Sequence, residues 1–136
     1  MGDNEYMLKM YFVSLLVFLG IDMVWLGVLA KDFYRRQIGG LMRNEVGWGW
    51  AVAFYLLFVV GLVVFVISPA VENRSITQAV TRGVLFGLIT YATYDLTNMA
   101  TLKGWSWQVT VVDLIWGMVL SGLVAMISSL VLMKWV

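Results

Sequence analysis

Carboxylates interrupt this chain at three points where the surrounding sequence is strongly apolar. Asp22 stands near the middle of an otherwise uncharged run over 10–30, and Asp95 and Asp113 stand in later apolar stretches. A carboxylate at the centre of a bilayer costs about 2.5–3.5 kcal/mol on insertion scales, so such a group normally has a partner or lines a site or pathway. The chemistry open to these carboxylates is the binding of a proton, a cation or a cationic solute, or acid–base catalysis.

The composition excludes several other kinds of site. The 136 residues include no Cys and no His, so thiolate or imidazole ligation of a metal and a Ser-His catalytic pair are excluded within this chain. We therefore expect no metal site and no cofactor, and we do not favour an enzyme. The net charge of +1 provides no basic stripe for phosphates, so nucleic acid is not an expected partner.

The class of the protein follows from its hydropathy. The chain is 62% hydrophobic and 12% charged with a mean hydropathy of +0.89, whereas soluble domains carry about 25% charged residues. An integral membrane protein in contact with the lipid bilayer is predicted. Four apolar segments approach the ~20 residues that span a bilayer as a helix, and lipid requires that they be helical. They lie at about 8–30, 48–67, 80–100 and 109–132.

These segments predict a single-domain, all-α architecture over 1–136: a four-transmembrane-helix bundle with both termini on the same side. The acidic leader with Asp3 and Glu5 argues that the first segment is a retained span and not a cleaved signal peptide. Within the first loop, 31–47, apolar residues at helical spacing between arginines predict a short interfacial helix. A solvated loop is the alternative.

Helix ends are predicted from local motifs. Ser68-Pro69 predicts the end of the second span, because proline disfavours helix at the residue before it. Ser75 to Gln78 fits a capping box that opens the third helix, and Thr110 to Asp113 fits another that opens the fourth.

Membrane orientation is weakly specified. We define side A as the face with the termini and the 72–79 loop, and side B as the opposite face. Side A carries four basic residues and side B five, four of the latter in the first loop, which favours side B as cytoplasmic. So small a bias is also compatible with insertion in both orientations and an antiparallel dimer, so homo-oligomers or other membrane subunits are candidate partners.

The three carboxylates are predicted to lie in the same half of the bilayer. At ~1.5 Å per residue, Asp22 lies about 12 Å from the side B end of its helix, Asp95 about 7 Å and Asp113 about 6 Å. Packing of the first, third and fourth spans would then bring them together. The third span carries a continuous stripe of Gly83, Gly87, Tyr91, Asp95 and Asn98.

The candidate site follows from this arrangement. The side chains expected to bind a ligand or ion are Asp22, Asp95, Asn98, Asp113, Tyr91, Tyr94, Trp25 and Trp116. The residues expected to mediate close helix packing are Gly83, Gly87, Gly117 and Ser121.

Each candidate also has a purely structural interpretation. Asp113 would cap its helix, and Asp95 and Asn98 would form interhelical hydrogen bonds that fix the packing. Asp22 is too deep for a cap, so its alternatives are a contact to a neighbouring helix or protonation in place. The tryptophans near span ends, Trp25 among them, would be interface anchors.

A short internal similarity links the first and last spans. Asp22-Met23-Val24-Trp25 has a counterpart in Asp113-Leu114-Ile115-Trp116, on a helix that runs in the opposite direction. This pattern is typical of an inverted repeat around a central site. Coincidence in an apolar, Trp-rich chain is the alternative.

The stretches Tyr94 to Trp105, with the string Tyr-Asp-Leu-Thr-Asn-Met-Ala-Thr-Leu-Lys, and Val112 to Gly117 resemble a known family. Ile21 to Gly27 and Lys31 to Tyr34 are similar to it as well. The family is that of the predicted bacterial membrane proteins catalogued as domain of unknown function 2177. The resemblance implies a four-span protein of the bacterial inner membrane and supplies no activity. Ser106 stands where a proline is expected in similar sequences, so the geometry of that loop is left open.

Three functions remain open. The favoured one is a membrane-embedded binding or transport module with an Asp/Asn/Tyr cluster that takes a proton, a cation or a cationic solute. The alternative is a structural or accessory subunit of a larger membrane complex. The least favoured is a lipid-acting enzyme that uses the aspartates as acid and base.

Overall fold

All of the regular secondary structure in residues 2–135, the part of the chain that the computed structural model describes, is helical. The helices are α1 Asp3–Val24, α2 Lys31–Ile38, α3 Trp48–Leu62, α4 Ser68–Glu72, α5 Ile76–Thr101 and α6 Trp107–Met133. A first π-helical turn, Trp25–Leu29, extends α1, and a second, Val63–Ile67, joins α3 to α4. The all-α prediction is confirmed, and the first loop contains the short helix α2 followed by a 3₁₀ turn at Gly39–Leu41.

Within the described part of the chain, three stretches are long and apolar enough to cross a membrane: Asp3–Leu29, Trp48–Glu72 and Trp107–Met133. They contain the predicted spans at 8–30, 48–67 and 109–132 almost entirely. The predicted span at 80–100 lies within α5, which has 26 residues and a more polar composition that includes six threonines. Length alone would allow α5 to cross as well, since 26 residues rise about 39 Å.

The prediction that Ser68-Pro69 ends the second span is wrong. The helix continues through the second π-helical turn into α4, where Pro69 occupies the first turn and its missing N–H is tolerated. The chain leaves the helix only at Arg74, whose φ of 49° is left-handed. The Arg74 N–H donates to the Val71 carbonyl and the Ser75 N–H to the Ala70 carbonyl, which is the Schellman pattern.

Of the two predicted capping boxes, only the first opens a helix. Ser75 is the N-cap of α5, and its Oγ accepts from the Gln78 N–H at 3.0 Å. The second prediction is wrong, because α6 begins at Trp107 with Ser106 as its N-cap. Asp113 therefore lies well inside α6, where backbone N–H groups already have helical partners, and it does not cap a helix end.

Helices α5 and α6 run antiparallel and approach so closely that glycine is required at the contact, which we call the α5–α6 seam. A Cβ on Gly87 would lie 1.9 Å from the Gly117 carbonyl oxygen, and one on Gly83 would lie 2.8 Å from the Ser121 carbonyl oxygen. A Cβ on Gly117 would meet the Tyr91 ring at 2.5 Å. The seam brings the Asp95 end of α5 beside the first turns of α6.

The rest of the core is apolar and is shared by α1, the α3–α4 helix and α6. Phe18, Leu62, Ile67 and Leu120 are fully buried there. Apolar side chains also cover the outside of the helices, with Val28 and Leu57 more than 70% exposed. A lipid environment accounts for such a surface.

Candidate functional site

The carboxyl groups of Asp95 and Asp113 meet at the α5–α6 seam, and we call them the carboxyl pair. Asp95 is fully buried, and neither of its oxygens accepts a hydrogen bond from an N–H or O–H of residues 2–135. Its side chain lies within hydrogen-bonding reach of the Asp113 carboxyl. Two carboxylates cannot hydrogen-bond to each other unless one of them carries a proton.

Tyr34 of α2 covers the carboxyl pair from the first loop. Its hydroxyl donates a short hydrogen bond to Asp113 Oδ1 and accepts one from Trp25 Nε1 at 3.2 Å. A second polar contact holds the same helix, since Ser106 Oγ donates to Gln37 Oε1 at 2.7 Å. The amphipathic helix α2 is therefore attached to the start of α6 at two points.

Burial, together with the hydrogen bond to Asp113 and its charge, raises the pKa of Tyr34 well above its usual range. Its phenol therefore remains a donor at physiological pH. Because the pKa is higher in the folded state than in the unfolded one, the contact should contribute fully below about pH 10 and be lost as the pH rises above that.

The difference in unfolding free energy between the wild type and Tyr34→Phe measures this contribution. We expect the difference to be constant at neutral pH and to shrink above the unfolded-state pKa of tyrosine. A difference that grows with alkaline pH would contradict the assignment of Tyr34 as the donor.

Asp22 occupies a second position, beside a tryptophan pair. It is 4% exposed and accepts a hydrogen bond from Trp116 Nε1 at 3.3 Å, and the Tyr55 hydroxyl lies beside it. Asp22 thus lies in the interior. Its direct partners are Trp116 and Tyr55, whereas Asp95 and Asp113 pair with each other.

The tryptophans of the two Asp-x-x-Trp segments stack on each other. The Trp25 and Trp116 ring centroids are 4.4 Å apart with the planes inclined by 10°. Each tryptophan reaches toward the aspartate of the opposite helix: Trp116 donates to Asp22 directly, and Trp25 reaches Asp113 through the Tyr34 hydroxyl. Trp25 is half-buried in this arrangement, between the Trp116 ring and Tyr34. Its interpretation as an interface anchor stays a prediction.

Tyr91 lies between the two positions, with Asp22 and Asp113 among its neighbours. The groups that act on the three carboxyls within residues 2–135 are Tyr, Trp and Asp side chains, and no Lys or Arg is among them. In the same part of the chain, no three or more His, Cys, Asp or Glu residues are placed to hold a metal ion together. The site is thus anionic and aromatic.

Two predicted site residues lie elsewhere. Tyr94 and Asn98 lie toward the outer side of α5, where Tyr94 is half-exposed, and they line a surface groove with Thr97 and Trp105. The buried stripe of α5 therefore ends at Asp95.

Tyr34 was not predicted as a member of the site, although the sequence placed it on the apolar face of a short helix in the first loop. The polar hydroxyl of Tyr34 on that apolar face was the sequence feature that could have indicated its place in the site. The contact with Asp113 joins residues 79 positions apart, which no local pattern indicates.

Comparison with known proteins identifies the family of this chain. A family model described as "Predicted membrane protein (DUF2177)" matches residues 7–130, which is most of the chain. No curated protein and no solved structure matches the sequence.

Proposed function

Since this chain belongs to the family of predicted membrane proteins catalogued as domain of unknown function 2177, we propose that it is a membrane-embedded binding or transport module. Its ligand is a proton, a small cation or a cationic group held by the carboxyl pair. The observation that carries the proposal is Asp95, fully buried beside Asp113 with no donor for either oxygen among residues 2–135. A bound positive charge would satisfy it.

Unpaired charge is costly in a buried site. Two ionised carboxylates there repel each other, and burial penalises each of them further. No Lys or Arg within residues 2–135 is among the groups that act on them to offset this cost. A structure that maintains such a pair is expected to take up a cation there, because an uncharged packing contact would be served by apolar side chains.

The proposal includes a topology of four spans within one domain, with both termini on side A, in the bacterial inner membrane. Support for α5 as the additional span comes from its antiparallel packing along α6, itself a candidate span. Threonine hydroxyls along α5, at Thr90, Thr93 and Thr97, donate to carbonyls one turn earlier, so they need no water. Its deep charge, Asp95, faces inward.

Cysteine labelling tests this topology, because the natural chain has no Cys and each variant carries one thiol. We expect a membrane-impermeant maleimide to label Asp3→Cys and Asn73→Cys from one face and Arg43→Cys and Lys103→Cys from the other. Labelling of Asn73→Cys and Lys103→Cys from the same face would show that α5 does not cross.

Proton and cation uptake by the purified protein in lipid tests the binding site. We expect Asp95→Asn and Asp113→Asn each to abolish the uptake that wild-type protein shows after a pH or cation jump, while helicity is retained. Asp32→Asn is the matched control, since Asp32 is an exposed carboxylate of α2. Wild-type uptake in both pair variants would leave the carboxyls with a structural role only.

A further inference from the structure

We infer that the ligand of the carboxyl pair is a single proton resident on Asp95, and that Tyr34 is the positioning residue that keeps Asp113 as its ionised acceptor. This inference rests on the proposed function, because it names the ligand of the same site. It adds that the two carboxyls differ in protonation and that Tyr34, a residue of the first loop, maintains this difference.

The hydrogen bonds of the pair are unequal. Asp113 accepts from the Tyr34 hydroxyl, and a donor of this kind favours the charged form of a carboxyl. Asp95 accepts from no N–H or O–H of residues 2–135 and is fully buried, which favours its neutral form. The arrangement that satisfies both is an Asp95 carboxylic acid donating its proton to the Asp113 carboxylate.

Tyr34 can act in this way because its own hydrogen is directed. Trp25 Nε1 is a donor only and points at the Tyr34 oxygen, so the phenol hydrogen is left to point at Asp113. Burial and the Asp113 charge hold the phenol in its protonated form. Tyr34 therefore remains a fixed donor over the whole physiological pH range.

Packing around the pair favours a proton over larger cations. The Trp25 and Trp116 rings stack on each other with centroids 4.4 Å apart, so they leave no open cage between them, and the Tyr34 hydroxyl already occupies Asp113 Oδ1. A hydrated metal ion or an organic ammonium group needs several oxygen ligands or an open aromatic cage. A proton needs only the two facing oxygens.

Other ionisable groups lie around the pair. Tyr34 on α2 and Tyr91 and Tyr94 on α5 act on its carboxyls, and Asp22 on α1 and Tyr55 on α3 are neighbours of Tyr91. All except Asp22 are phenols. Asp22 accepts from Trp116 and is a separate carboxyl, so the experiment must remove it as a source of signal.

Infrared spectroscopy of the protein in lipid tests the inference through the C=O absorption of protonated carboxyl groups. All variants are made in an Asp22→Asn background, so that the buried pair supplies the signal. We expect one protonated carboxyl at neutral pH, insensitive to Na⁺, K⁺ or tetramethylammonium. Asp95→Asn should remove the band and keep the fold, because the Asn amide donates to Asp113 as the proton did.

The Tyr34→Phe variant tests whether Tyr34 keeps the Asp113 carboxyl ionised. Without its donor, Asp113 should also become protonated at mildly acidic pH, so the band area should approach twice that of the parent. Tyr11→Phe is the matched control, because the Tyr11 hydroxyl donates to the Leu56 carbonyl and is not among the groups that act on the three carboxyls, and it should leave the area unchanged.

The outcomes separate the two proposals. No protonated-carboxyl band in the parent protein at neutral pH would overturn the resident proton, and uptake of Na⁺ or tetramethylammonium by the same protein would then leave the proposed binding site standing. Absence of both the band and cation uptake would overturn the proposed site as well. A band that is present but survives in Asp95→Asn, or a Tyr34→Phe spectrum identical to that of Tyr11→Phe, would overturn only the placement of the proton and the role of Tyr34. If Asp95→Asn fails to fold, the comparison of Tyr34→Phe with its control variant still tests the role of Tyr34.

Discussion

Replacing Gly87 with alanine should destabilise the protein by about 1–3 kcal/mol, because overpacking a close contact forces the backbones apart. The added Cβ would lie 1.9 Å from the Gly117 carbonyl oxygen and 2.5 Å from its carbon. Both are backbone atoms of α6, so no side chain can rotate away. Since the carboxyl pair lies further along the same seam, Gly87→Ala should also weaken proton uptake.

Gly20→Ala is the control for this substitution. Gly20 is likewise inside a long helix, but a Cβ there meets nothing within 4 Å. Alanine should therefore be neutral or stabilise by up to about 1 kcal/mol. Unfolding by increasing SDS in mixed micelles, followed by circular dichroism, measures both variants. Equal stability of Gly87→Ala and Gly20→Ala would refute the close contact.

Replacing Trp116 with alanine should cost about 3–5 kcal/mol, the range for removal of a large aromatic side chain from a packed position. The variant loses the stack on Trp25 and also the Nε1 donor to Asp22. Asp22 would then be left buried without that donor. The same SDS titration provides the measurement.

Two further substitutions separate these effects. Trp116→Phe keeps an aromatic ring but removes the N–H, and it should cost about 1–3 kcal/mol for an unsatisfied buried acceptor. Trp50→Ala removes a tryptophan that is 81% exposed, and it should change the stability by about 0.5 kcal/mol or less. A Trp116→Ala variant as stable as Trp50→Ala would show that the stack does not hold α1 to α6.

Of the local helix signals in the sequence, the one at Ser75 was confirmed, and those at Ser68-Pro69 and at Thr110 to Asp113 were wrong. Ser75 caps α5 as predicted. The Ser75 hydroxyl accepts from the N–H of Gln78, and because the two residues are only three positions apart, the sequence alone indicates this contact. The prediction for Thr110 to Asp113 failed because Ser106 offers the same cap one turn earlier, and α6 starts there. This failure matters for the site, because Asp113 therefore lies inside α6 and does not cap a helix end.

In the candidate site, too, the sequence pattern located some residues, and only the packing of the helices located others. Helical spacing placed Asp95 on one continuous stripe of the third span with Gly83 and Gly87, and all three are buried in the structure. Spacing could not show that Asp95 pairs with Asp113, because the relative depth of two helices depends on their contact, here set by Gly83 and Gly87. It also could not show that Tyr34 covers the pair, since the fold of the first loop brings it there.

The sequence by itself determined an all-helical protein of apolar surface whose carboxylates lie in otherwise apolar segments, because hydropathy and backbone hydrogen bonding act locally. Only the tertiary structure decided which carboxyls meet and which donors they receive. Close packing at Gly83, Gly87 and Gly117 sets the register of α5 on α6. Asp22 was the most deeply placed charge in the sequence, yet it is Asp95 that the packing leaves fully buried and without a donor among residues 2–135, and Asp95 is the residue that we propose binds a proton.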